Sequence, residues 1–83
     1  MHVTVRYFGI IGDIAKRKTQ EVELPDGATV SELIATLAAE NAGFAGIAKQ
    51  VRVVADGENV ARDHVLAAGC DVSLIRAIGG GER

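Results

Sequence analysis

The chain has 83 residues, 48% of them hydrophobic, and a formal net charge of −2. That is material for one domain and one compact core, with a thin stability margin because a chain this short buries only about 60–65% of its unfolded surface. Sparse Lys and Arg exclude an electrostatic footprint for nucleic acid, and a single cysteine, Cys70, excludes an internal disulfide.

His2-Val3-Thr4-Val5-Arg6-Tyr7-Phe8 alternates and is rich in β-branched and aromatic residues, which predicts a strand. Val3, Val5 and Tyr7 fall on one face, and Thr4, Arg6 and Phe8 on the other. Gly9 and Gly12 break the pattern, and Lys16-Arg17-Lys18 reads as a solvated loop tip. Gln20 to Leu24 alternates again, so the first two strands are expected to form an antiparallel hairpin.

Pro25-Asp26-Gly27 is a turn signal, since Pro presets φ and Gly accepts positive φ. Thr29 with Glu32 three residues on makes a capping box. Val30, Leu33, Ile34, Leu37 and Ala38 then form the apolar stripe of an amphipathic helix. Asn41 and Gly43 are exit signals, and Phe44 and Ile47 are expected to fold back under the helix.

Val51 to Ala55 predicts a third strand, Asp56-Gly57 a turn, and Asn59-Val60-Ala61 a short extended piece. Val65 and Leu66 lead into a turn at Ala68-Gly69. Asp71 to Ile78 is the final strand, with Val72, Leu74 and Ile78 inward. One helix can cover only one face of such a sheet, so the class is α+β. The first and last strands are the most hydrophobic and are expected to lie side by side at the centre, running parallel.

No internal repeat, secretory leader pattern or membrane-length apolar run is present, and a cytoplasmic location is expected. His2 and His64 lack ligand spacing, so no metal is expected. Cys70, with no neighbouring base or partner cysteine, reads as an inert small residue. Gly9-x-x-Gly12 lacks the length and the Lys-Ser/Thr ending of a phosphate loop.

The residues that call for explanation are Gly79-Gly80-Gly81, directly after a hydrophobic strand. Glycine costs more backbone entropy to order than any other residue. One reading is a frayed end. The other is a tail that threads a narrow channel and presents a backbone carboxylate there.

Four stretches, in this order and spacing, carry a resemblance: Val3 to Phe8; Ala28-Thr29-Val30-Ser31-Glu32-Leu33; Asp63-His64-Val65-Leu66; and Asp71 to Gly81. Together they resemble the ubiquitin-like β-grasp sulfur carriers, and most nearly the small subunit of molybdopterin synthase. The resemblance covers essentially the whole chain. It implies a β-grasp domain over residues 1–78, a mixed sheet of four to five strands with one main helix on one face, and a glycine tail over 79–83.

It further implies a carrier without catalytic residues or a bound cofactor of its own. ATP is used by a partner, an activating enzyme that adenylates the terminal glycine carboxylate before sulfur replaces the adenylate. Gly81 would carry the sulfur, and Gly79 and Gly80 would thread the partner's channel. The acceptor would be the large subunit of molybdopterin synthase or another sulfur-acceptor enzyme. Glu82-Arg83 lies beyond the diglycine, so a processing peptidase is expected to release the carboxylate of Gly81. Arg76-Ala77 stands where molybdopterin-type carriers usually have two prolines, and Gly9-Ile10-Ile11-Gly12 replaces a more polar first loop.

Other acceptors stay open: thiamine thiazole, an amino acid, a tRNA base or protein lysines. So does an interaction module that carries no sulfur. Period-two alternation also places Phe8, Ile75 and Val54 on the sheet face that the helix leaves bare, where they are expected to form a partner docking patch.

Overall fold

The computed structural model describes residues 1–76. Ile78, Gly79, Gly80, Gly81, Glu82 and Arg83 lie outside the described residues, as does the end of the expected final strand. Five strands form one sheet: β1 (His2–Tyr7), β2 (Thr19–Glu23), β3 (Val51–Ala55), β4 (Glu58–Val60) and β5 (Asp71–Arg76). Their order is β2-β1-β5-β3-β4. β1 runs parallel to β5 and antiparallel to β2, and β3 runs antiparallel to both β4 and β5. This is the expected α+β arrangement, a β-grasp sheet with the two most apolar strands adjacent.

The main helix, α2 (Val30–Glu40), forms where the capping box places it. The Glu32 amide donates to Thr29 Oγ1 at 3.2 Å, and the Thr29 amide donates to Glu32 Oε1 at 2.9 Å, so two otherwise orphaned donors are satisfied. Val30, Leu33, Ile34 and Leu37 are buried against the sheet with Val3, Val5, Val53, Val72 and Leu74. The strap from residues 61 to 70 is pinned at the helix entry, where the Val30 amide donates to the His64 carbonyl and the Leu66 amide to the Ala28 carbonyl, each at 2.9 Å. Arg62 is spent on structure, its guanidinium donating to the carbonyls of Ala48 and Val51.

Three local expectations are corrected. The link between β1 and β2 is not a simple hairpin loop but contains a helix, α1 (Ile10–Ala15), with Ile11 and Ala15 buried. Gly9 caps its start and Gly12 lies inside it, so neither excludes it. The Gly9 φ of 56° starts the turn, and a Cβ at Gly12 would stand 3.0 Å from the Tyr7 carbonyl oxygen.

Gly43 is not a helix exit. It lies inside a further helix, α3 (Ala42–Ala45), which Asn41 caps by accepting from the Phe44 amide. Phe44 does fold back as expected: it is fully buried and meets Tyr7 edge-on, with ring centroids 6.1 Å apart. Finally, the short strand is Glu58–Val60, one residue earlier than its pattern implied. Asp56 and Gly57 both take positive φ there, as a two-residue hairpin turn requires.

Candidate functional site

Alternation along β1, β5 and β3 sends Val5, Tyr7, Leu74 and Val53 toward α2 and leaves Arg6, Ser73, Arg52 and Val54 on the opposite face. The register fixes which of these are neighbours: Arg6 faces Ser73, Arg52 faces Ile75, and Val54 faces Ser73. Phe8 continues the parallel ladder past β1, because its amide donates to the Leu74 carbonyl at 3.1 Å. That places Phe8 beside Ile75.

Phe8 is 48% exposed and Ile75 38%, while Val54 is half-buried one step further along the sheet. The three residues therefore share one face: Phe8 and Ile75 are neighbours, Arg52 stands on the far side of Ile75, and Val54 is separated from Arg6 by Ser73. Arg6 is held by Asp71 of the next strand, 3.6 Å away. Phe8 and Ile75 are thus adjacent apolar side chains, about half-exposed, with the cations Arg6 and Arg52 beside them on the same face.

Ile10 belongs to the same end of the molecule and was not legible in the sequence. It is 45% exposed while its neighbour Ile11 is fully buried. In α1 the helical turn sends Ile11 inward and Ile10 outward, and the signal available was the spacing of Ile11, Ile14 and Ala15.

β5 is the central strand, hydrogen-bonded on both sides, and its described part runs to Arg76. Arg76 pairs with Val51 and lines a small cleft with Ile10, Ile14 and Ile47. Arg76, the last described residue, follows directly on Ile75 of the apolar patch. Gly79, Gly80 and Gly81 lie outside the described residues, so the geometry bears on their root alone.

The remaining sequence candidates do not converge on this face. Cys70 is buried, and burial pushes its thiol up, which opposes thiolate formation. His2 lies 3.8 Å from Glu23 on the outer hairpin. Among the described residues, no three His, Cys, Asp or Glu side chains gather as a metal site would need, and no helix is long and apolar enough to cross a membrane.

The ThiS family profile matches residues 5–81. Among solved structures, the chain is similar to SAMP1 from Haloferax volcanii, 20% identical over 98% of this chain and 100% of that one, with a TM-score of 0.86. It is similar also to the putative molybdopterin converting factor subunit 1 from Pyrococcus furiosus, 26% identical over 94% of this chain and 99% of that one, TM-score 0.85. A third relative in shape occurs in the complex of subunits 1 and 2 of the molybdopterin-converting factor from Helicobacter pylori, 21% identical over 98% and 100%, TM-score 0.70. No curated protein matches the sequence.

Proposed function

The chain belongs to the ThiS family of ubiquitin-like β-grasp sulfur carriers, and from that premise we propose that it carries sulfur as a thiocarboxylate on Gly81 for molybdopterin biosynthesis. The observation that carries this reading is the extent of the family match. It runs to residue 81, so the Gly80-Gly81 pair stands where the family pattern ends. The molybdopterin assignment is supported by the 26% identity to a putative molybdopterin converting factor subunit 1.

The chemistry asks little of the carrier. A carboxylate resists acyl substitution because its charge is delocalised and its leaving group would be oxide. Reaction with ATP converts the Gly81 carboxylate to an acyl-adenylate and releases pyrophosphate. Sulfide, or its equivalent from a donor, then forms the carbon–sulfur bond and expels AMP. The product is a soft nucleophile for a pterin precursor held by the acceptor subunit. The carrier's tasks are to present a chain slim enough to enter the active site and a surface that docks the domain beside it. Phe8, Ile75 and Val54 supply that surface, next to the root of the tail. A complex such as that of subunits 1 and 2 from Helicobacter pylori is the kind of assembly in which the patch would be covered.

The Gly81 carbonyl carbon is bonded to Glu82, whatever follows Arg83, so removal of the residues after Gly81 precedes activation. The deciding experiment compares the 83-residue chain with one ending at Gly81, each incubated with an activating enzyme, ATP and sulfide, by intact mass. The oxygen-to-sulfur mass change is expected in the shorter chain alone, and it is expected to vanish when Gly81 is replaced by Leu. Thiocarboxylate formed on the untrimmed chain, or none on the shorter one, overturns the proposal.

A further inference from the structure

Beside the apolar patch, an open groove of about 670 Å³ runs between the end of β1 and the turn after α1. Arg6, Phe8, Asp13, Lys16, Arg17 and Lys18 line it. Four of the chain's nine Lys and Arg residues therefore meet there against one of its eleven Asp and Glu, leaving five cations against ten carboxylates elsewhere. An acidic chain thus carries a strongly positive corner. Among the described residues, no carboxylate lies within 4.0 Å of Lys16, Arg17 or Lys18, and Arg6 alone has an ion-pair partner, Asp71. The concentration of charge is not used to hold the fold: these side chains are exposed, and like charges so close repel.

We propose that this groove seats an acidic segment, one bearing at least two Asp or Glu side chains, of the same partner protein that docks on Phe8 and Ile75; the inference rests on the docking face of the carrier reading. Position supports it. Phe8 belongs to both the patch and the groove, and Arg6 lies between them on β1. β2 begins at Thr19, level with Arg6, so Lys18 stands at the same end of the sheet as the root of the tail. A partner that covers Phe8 would have this corner at its border.

The chemistry favours carboxylates on a protein over a phosphate ligand. A tight phosphate site uses converging, partly buried donors, whereas the four cations of this groove are all exposed. Exposed cations beside a half-exposed aromatic ring match a peptide with acidic and apolar side chains. They act mainly by steering the encounter and fixing its orientation.

The test is stopped-flow association of the chain with the activating enzyme of its own organism, at about 20 mM and about 0.5 M salt, where screening lengths differ several-fold. The charge variant is Arg17→Glu with Lys18→Glu. Lys16 is left in place because its φ of 62° is a left-handed position. The expected result is an association rate lowered about tenfold or more at low salt, with the difference largely gone at high salt. Phe8→Asp, in contrast, should weaken binding at both.

If the charge variant associates like wild type at both salts while Phe8→Asp binds poorly, the groove proposal falls and the docking face stands. If both variants bind normally, the docking face falls with it. An independent arm titrates the isotope-labelled chain with hexaglutamate and follows the amides of Arg6 and residues 16–19. These should move, and should stay still in the charge variant. If inorganic phosphate or ATP moves the same amides at lower concentration than the peptide does, the groove is a phosphate site and the acidic-segment assignment is wrong.

Discussion

Phe8 donates its amide to the carbonyl of Leu74, one residue beyond the last paired position of β1. This single bond adds a step to the parallel ladder and sets an aromatic ring next to Ile75, where an ordinary loop would have turned away.

The patch so formed should respond to charge without affecting the fold. Phe8→Asp and Ile75→Glu are expected to weaken binding to the activating enzyme by about 30-fold or more, the loss of a central interface contact of about 2 kcal/mol. Their unfolding free energies from urea denaturation should stay within about 0.5 kcal/mol of wild type, since both side chains are already partly exposed to water. Titration calorimetry and denaturation on the same preparations decide it; normal binding by both would place the docking surface elsewhere.

Leu37 is the opposite case. It is 1% exposed, under the middle of α2. Leu37→Ala should cost about 2–5 kcal/mol, a large share of a small domain's stability. A loss below about 0.5 kcal/mol in chemical denaturation would mean the helix presents another face.

Gly43→Ala separates propensity from packing. Alanine favours a helix by about 1 kcal/mol over glycine, yet a Cβ here would stand 2.8 Å from the Ile14 carbonyl oxygen, a backbone atom of α1 that cannot swing aside. Packing should win, giving a net loss of about 1–3 kcal/mol. A more stable Gly43→Ala protein would show that α1 and α3 separate at little cost.

Burial raises the Cys70 thiol above its ordinary value of 9.0 and the Tyr7 phenol above 10.0, the latter opposed by Arg17 and reinforced by Glu40. Both groups are therefore harder to ionise in the fold than in the unfolded chain. The stability this represents is fully present below the unfolded values and is lost as pH rises through the folded ones. Urea midpoints should fall as pH rises past 9.0, and Cys70→Ala should lessen the first part of that fall. A thiol-reactive dye at neutral pH should label Cys70 far more slowly in the native chain than in urea. Equal rates would mean that the thiol is open to solvent.

Much of this arrangement was legible because its signals are local and redundant. The capping box at Thr29 and Glu32 and the stripe from Val30 to Leu37 agree on one helix. Alternation in the first and last strands also distinguishes Leu74, inward, from Ile75, outward. What escaped was short. α1 has six residues and contains Gly12, and α3 has four and contains Gly43. Neither has the length for a periodic signal, and neither would be stable outside its tertiary contacts. Ile10 was lost with α1, because its outward direction follows only from the helix. The positive groove was equally hidden: Arg6 and Lys18 are distant in sequence and meet only through the β1–β2 register. The glycine tail was visible as composition, but its meaning came from resemblance, since a run of glycines specifies no partner by itself.

The central place of β5 has a mechanical consequence. A pull applied along β5 from its Arg76 end would meet a strand bonded to β1 on one side and β3 on the other. The load falls as shear on both ladders at once, so several hydrogen bonds must break together. On an edge strand the same pull could peel them one by one. Tension along this strand is therefore resisted by two ladders acting together.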